Sequence, residues 1–314
     1  MYFRPLIGIL FLAALCTPAW AEDLGTETAE MDPSSETLSD TATEESTTLE
    51  TVDTPSTPVT VQAWNAPQLE VGAGTYSFSY KEDVPPPFKS TETGLMKMLG
   101  VSGSFPLNEA IVMQLLAEGS TTTTLYDGTY QNGAPIQSDT HNHVLRTQVA
   151  LKRLLAETSS GDLQGYAGLG FRLWKRDIQG AGGYLEDYHM YTLPIGVQYR
   201  HFFTEHFSVG PDLSARLLWG SVTAYLSKFP GMGDTDLPLG EAIGFRLAVP
   251  VTFWSLFADN LSLVVTPYYE LIRIGAGDSV ALNSSRGRGT MAFAREPASD
   301  THQFGINASV SIGL

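Results

Sequence analysis

From Gln68 onward, apolar residues recur at every second position between clusters of turn-forming residues, and after Ala21 no run of eighteen uncharged apolar residues occurs. These two facts constrain the fold more than anything else in the chain. A helix needs about 20 apolar residues to cross a bilayer, whereas the longest candidate, Leu247 to Ala258, has twelve and contains Pro250. Strands cross with about 9 to 11 residues each, one face to lipid and the other to the lumen. Alternation thus predicts an all-β chain, a transmembrane antiparallel β-barrel. Pattern and turn clusters place about ten strands, with eight or twelve as alternatives, near 67 to 80, 94 to 106, 110 to 125, 142 to 155, 163 to 175, 187 to 202, 207 to 221, 241 to 254, 261 to 275 and 301 to 314. Short connections alternate with long ones around 81 to 93, 126 to 141, 176 to 186, 222 to 240 and 276 to 300.

Side-chain parity assigns the faces. In the last strand Phe304, Ile306, Ala308, Val310, Ile312 and Leu314 share one side, while Gln303, Gly305, Asn307, Ser309, Ser311 and Gly313 share the other. Between Tyr188 and Phe203 the outward set is His189, Tyr191, Leu193, Ile195, Val197, Tyr199, His201 and Phe203, with tyrosines near both ends as an aromatic girdle requires. A soluble sandwich or lipocalin-like barrel would also alternate, but its outer face would be polar. Here the nearly all-apolar face lies opposite the one carrying Gly, Ser and Arg, and a soluble protein does not expose such a surface.

The terminal alternation resembles the last strand of bacterial outer-membrane barrels, with Leu314 in place of the usual final aromatic and Ser309 where Gly is common. Over residues ~66 to 314 the chain resembles the OmpA-like and small porin-like barrel superfamily. The resemblance implies the outer membrane of a Gram-negative bacterium, with Phe304, Ile306, Ala308, Val310, Ile312 and Leu314 as the signal read by the barrel-assembly machinery. Outer-membrane lipid and lipopolysaccharide would be its surroundings, and the long loops would meet an extracellular ligand. An even strand number puts both termini in the periplasm.

Ahead of the barrel, residues 1–21 read as a signal peptide, with Arg4, an apolar run from Leu6 to Leu15 and an Ala19-Trp20-Ala21 cleavage site. Cys16, the only cysteine, lies inside it, so cleavage leaves no thiol for disulfides or metal. Residues 22–65 form an acidic Ser/Thr-rich segment. Positions 22 to 61 alone hold eleven carboxylates and no Lys or Arg, too polar to offset the entropy of ordering, and a disordered periplasmic tail is expected. That segment supplies most of the net charge of -16, which argues against nucleic acid as a partner.

Inward parity gives a charged lumen of Glu118, Arg146, Lys152, Arg172, Arg200, Asp212, Arg216, Arg246 and Glu270, with Glu70 in an ambiguous register. Charges in a narrow barrel must find partners or water. About ten strands leave little room beyond the side chains, so the expectation is a lumen largely filled by ion pairs and a structural or surface-interaction role. A narrow passive porin is the alternative. A more distant one comes from omptin-like proteases, which the chain resembles in strand number and size and whose rim site sets an Asp pair against an Asp-x-His pair. Asp139-Thr140-His141, Asp187-Tyr188-His189, Asp300-Thr301-His302 and Asp234-Thr235-Asp236 supply the raw elements. Their order is wrong for omptins, however, and His189 and His302 have lipid-side parity. Asp139, His141 and His143 have a spacing that suits metal ligands and equally suits a wet polar loop. No catalytic residues, metal or cofactor are expected.

Overall fold

The computed structural model describes residues 66–130, 133–229, 232–256, 258–282 and 293–314; the expected signal peptide and acidic tail lie outside the described residues. Six strands follow one another as antiparallel neighbours: β1 (Gln68–Glu82), β2 (Ser90–Asn108), β3 (Ile111–Thr129), β4 (Pro135–Thr158), β5 (Gly161–Ile178) and β6 (Leu185–Thr204). β7 comes in two pieces, Phe207–Val209 and Asp212–Tyr225, and β8 in two more, Ala242–Ala248 and Val251–Phe253. Pro211 and Pro250, which have no N–H to give a ladder, sit in the two breaks. The breaks face each other, with Gly210 N donating to Pro250 O at 2.8 Å. β9 (Leu261–Ile274) and β10 (Ser299–Gly313) complete the wall, and β10 returns to β1 in register from Gln68↔Gly313 to Glu82↔Ser299. The result is a closed ring of ten antiparallel strands, which leaves no sheet edge unpaired. Thr235–Pro238 adds a short ribbon to the loop side of β7, and Val280–Ala281 pairs with Phe293–Ala294 in the last loop.

Tight turns, together with Gln68 and Gly313, mark one end of the barrel, here the turn end; among the described residues the loop end carries 83–89, 130, 133–134, 179–184, 226–229, 232–241, 275–282 and 293–298. Several strands run further toward the loop end than their alternation predicts. β2 starts at Ser90, β4 starts at Pro135, and β5 continues to Ile178, which shortens the loops expected at 126–141 and 176–186.

The extra length follows from an inversion of polarity along the wall. Near the turn end the outward residues are apolar and exposed, among them Leu115, Val149, Leu169, Ile195, Val197, Leu213, Phe245, Ile306 and Val310. Aromatic rings border this belt. Tyr191 lies between Phe171 (5.3 Å) and Trp219 (6.2 Å) on its loop side, and Phe207 lies between Phe203 (5.5 Å) and Phe253 (5.3 Å) on its turn side. A belt of this extent between aromatic collars is a lipid-facing surface. Beyond it the outward residues become Ser77, Ser79, Lys81, Thr93, Thr123, Asp139 and His141, all exposed. At the same height the inward residues become a buried apolar cluster that includes Phe78, Tyr80, Met96, Met98, Trp174, Tyr188, Met190, Val222 and Ile272. The barrel is thus built as a membrane protein toward the turn end and like a soluble barrel, apolar inside and polar outside, where it projects past the belt.

Candidate functional site

The lumen is divided into three layers. In the middle, Glu270 on β9 is the hub of the expected charges. It accepts from Arg216 at 2.7 Å, Arg246 at 3.3 Å and Arg146 at 3.4 Å, and Arg146 also holds Glu118 at 2.9 Å. These residues come from β3, β4, β7, β8 and β9, so the network spans the lumen instead of lining one wall. Arg246 also lies over the Tyr268 ring, 4.2 Å from its centroid. Arg172 is different: it makes no ion pair among the described residues and lies 6.0 Å from the Trp174 ring.

Toward the turn end the interior is polar, with a cavity of about 240 Å³ bordered by Lys152, Gln164, Gln198, Arg200, Asp212 and Trp254. Arg200 pairs with Asp162 at 2.6 Å. The expectation of ion pairs throughout is corrected at two positions here. Lys152 donates to the neutral Gln198 at 3.1 Å, and Asp212 accepts from the Tyr166 hydroxyl at 2.7 Å. Glu70 points inward and accepts from Ser309. Asp162 falls between the strands that alternation places near 142 to 155 and 163 to 175, yet register gives its partner, because Asp162 stands directly opposite Arg200 across β5 and β6.

The larger correction concerns the loop end, where the filling is mostly apolar. Trp174 stacks on Tyr188 at 4.7 Å and meets Tyr80 and Phe78 edge-on at 5.3 and 5.8 Å, while its Nε1 donates to Asn142 at 2.6 Å. Above this layer is an ion cluster that sequence reasoning missed altogether. Arg176, 1% exposed, donates to Glu92 at 2.7 Å, Glu186 at 2.8 Å and Glu82 at 3.2 Å, and it lies 4.8 Å from the Tyr80 ring centroid. Glu92, completely buried, also accepts from Thr124 and from Asn142 at 2.5 Å. A fourth carboxylate, Glu296, enters from the last loop and accepts from Tyr188 Oη at 2.8 Å, while its backbone oxygen accepts from Gly277 N at 2.9 Å.

Glu296 ties that loop to the barrel mouth in a pH-dependent way. Burial, reinforced by the charges of Glu186 and Glu82 and opposed by Tyr188 and Arg176, pushes its pKa from 4.5 up to about 8. Released from the mouth, the carboxyl ionises near 4.5; docked, it holds its proton to about 8. Docking is therefore favoured most below the lower value and weakens as pH climbs between the two. Hydrogen-exchange protection factors at Phe293 and Ala294 are expected to fall from pH 5 to pH 9 in the wild type and to stay level in Glu296→Gln. A pH-independent wild type would remove this role from Glu296.

None of the three Asp-x-His pairs enters the lumen. His141 and His143 face outward and contact Thr123 and Thr121, His302 contacts the Tyr269 hydroxyl at 2.8 Å, and His189 lies beside Phe171. Asp187 is held by Lys175 and Tyr225, Asp236 by Thr223, and Asp300 by Arg273. Asp234 accepts from the Ser227 backbone N. Among the described residues no group of three His, Cys, Asp or Glu is arranged to hold a metal ion.

No protein-family model matches the chain, and no curated protein matches it. Among solved structures it is similar to the outer membrane protease OmpT from Escherichia coli, at TM-score 0.58 and 11% identity over 80% of this chain and 97% of that one. Looser likenesses include the translocator domain of the autotransporter NalP from Neisseria meningitidis (TM-score 0.37, 10% identity, 78% and 88% covered). The outer membrane protein OprG from Pseudomonas aeruginosa is comparable (TM-score 0.35, 11% identity, 79% and 98% covered). The closed ring together with the likeness to OmpT defines the class of fold: a ten-stranded barrel of the bacterial outer-membrane type.

Proposed function

We propose that this chain is a closed outer-membrane barrel that works through the surface its loop end presents to the cell exterior, rather than by passing solutes. The observation that carries the reading is the buried layer around Trp174, which fills the lumen above the Glu270 network. A wall of ten strands is only slightly wider than one that side chains just fill. Here large aromatic and Met side chains occupy the projecting half, and arginines committed to Glu270 and Glu118 occupy the middle. The turn end then faces the periplasm, β10 carries the assembly signal, and the exposed loops form the surface offered to an extracellular ligand. No peptide-bond chemistry belongs to this reading, because the His of each Asp-x-His pair is on the outside of the wall.

Planar-bilayer recording of the refolded protein tests it. Wild type should give no steady conductance. The Arg216→Gln/Arg246→Gln variant should lose stability yet stay non-conducting, since Arg146 remains on Glu270 and the apolar layer is untouched. A steady, anion-favouring wild-type current would defeat the proposal and establish the porin reading, with the polar turn-end cavity as its vestibule.

A further inference from the structure

The middle layer of the lumen is unbalanced in charge. Arg146, Arg172, Arg216 and Arg246 share it with two carboxylates, Glu118 and Glu270, which leaves an excess of two positive charges among the described residues. Arginine keeps its proton in proteins, so the excess does not titrate away, and protonating a carboxylate would only enlarge it. The layer is also deep, with Arg172 and Arg216 6% and 7% exposed. Charge without compensation is costly in such surroundings.

The excess sits at Arg172. This residue stands directly opposite Arg146 across β4 and β5, and like charges so placed repel. Arg146 is drawn to Glu118 and Glu270 through its two terminal nitrogens. Arg172 has no such outlet. Among the described residues it makes no ion pair, its buried Nε has no hydrogen-bond partner, and the Trp174 ring at 6.0 Å is at the limit of a cation-π contact. Arg146 and Arg216 repeat the pattern, since each gives terminal nitrogens to Glu270 and keeps a buried Nε without a partner. Guanidinium groups only donate, so none of the three can satisfy another. Two inward positions beside the network carry no side chain: Gly100 opposite Glu118 and Gly244 opposite Arg216, where an added Cβ would come no nearer to any atom than 3.6 and 3.4 Å. Water would supply the missing acceptor and leave the charge; an anion supplies both.

We infer that the middle of the lumen binds one small inorganic anion of the size of chloride, held between Arg172 and Arg146 in the positive field of Arg216 and Arg246. Arg172 is its principal ligand, because the other three arginines also have carboxylates to hold. A monatomic ion suits a space bounded by the Trp174 layer on one side and by the Glu270 network on the other. The site depends neither on which end of the barrel faces the exterior nor on what the loops bind.

Anomalous diffraction from crystals of the refolded barrel grown in sodium bromide tests the site. Urea titration in lipid, at one ionic strength in sodium chloride and in sodium gluconate, tests its energetics. Bromide should give a peak within hydrogen-bonding reach of the Arg172 and Arg146 guanidinium groups. Wild type should be more stable in chloride, with an unfolding constant roughly tenfold smaller than in gluconate, the effect of an ion present at about ten times its Kd. Arg172→Met should stay heat-modifiable, lose the bromide peak and unfold alike in the two salts. In gluconate it should equal or exceed wild type in stability, because a buried cation without a partner has been removed. Arg172→Lys, which keeps the charge, should keep part of the chloride effect. Absence of a bromide peak between the arginines, with ordered water in its place, would overturn the site, and so would a chloride effect undiminished in Arg172→Met. If Arg172→Met gave no heat-modifiable barrel, the wild-type bromide map would decide by itself.

Discussion

Arg176→Met should destabilise the barrel by about 3 to 5 kcal/mol, the usual consequence of removing one side of a buried ion pair. The cost comes from what stays behind. Glu92 and Glu186 keep their positions inside the wall, 0% and 4% exposed, with hydroxyls and an amide as their remaining partners. The residues concerned come from β1, β2, β5 and β6, so the variant also removes a side chain that joins these strands across the mouth. Urea titration of the refolded protein in lipid measures the loss. It should be larger at pH 8 than at pH 5, because carboxylates left without a cation take up protons and the penalty then recedes. Adding Glu92→Gln and Glu186→Gln to Arg176→Met should recover most of the stability. An Arg176→Met barrel as stable as wild type at pH 8 would mean that the cluster does not hold the mouth together.

That cluster was illegible in the sequence for a specific physical reason. Strand ends are read from alternating apolar residues, and the alternation that identifies a membrane strand belongs to its lipid-facing side. Past the belt the outward positions turn to Ser, Thr, Asp, His and Lys, so the signal fades while the hydrogen-bonded ladder continues. Glu92, Arg176 and Glu186 were therefore assigned to loops, although each is in a strand and buried. The evidence was present in another form, a change of phase. On β1 the apolar parity passes from Leu69, Val71 and Ala73 to Tyr76, Phe78 and Tyr80, and the latter three point inward. On β9 Leu261, Leu263 and Val265 face outward, whereas Tyr268, Ile272 and Ile274 are buried within. A strand that changes its apolar side has left the bilayer and begun to enclose a core.

The middle of the barrel was more legible because parity and burial agree there. Glu118, Arg146, Arg216, Arg246 and Glu270 were placed inward on alternation alone, and the structure brings them into one network. Which partner each would take was beyond alternation. Pairing depends on how strands on opposite sides of the ring are aligned, and only local register is written in adjacent strands. Asp212 illustrates the limit: its carboxylate accepts from a tyrosine on β5, and among the described residues no arginine pairs with it.

The membrane assignment itself is open to a test between two adjacent residues of β6. Val197 points out of the wall at the middle of the belt, 46% exposed, between the collar at Tyr191 and the one at Phe203. Gln198 points inward, beside the turn-end cavity and directly across from Asp212 in the β6 and β7 register. Val197→Arg should lower stability in lipid by about 2 to 4 kcal/mol, since the guanidinium must be carried into hydrocarbon. Gln198→Arg should cost less than Val197→Arg, because polar space and the opposing Asp212 carboxylate offset the loss of the acceptor for Lys152. Heat-modifiable yield and urea midpoints of the two refolded variants compare them directly. If the outer surface met water, the order would reverse: an arginine at a half-exposed outward position of a soluble barrel is nearly free, whereas the interior position would bear the strain. Equal losses, or a harmless Val197→Arg, would therefore count against a lipid-facing belt, whatever the resemblance of the ring to outer-membrane barrels.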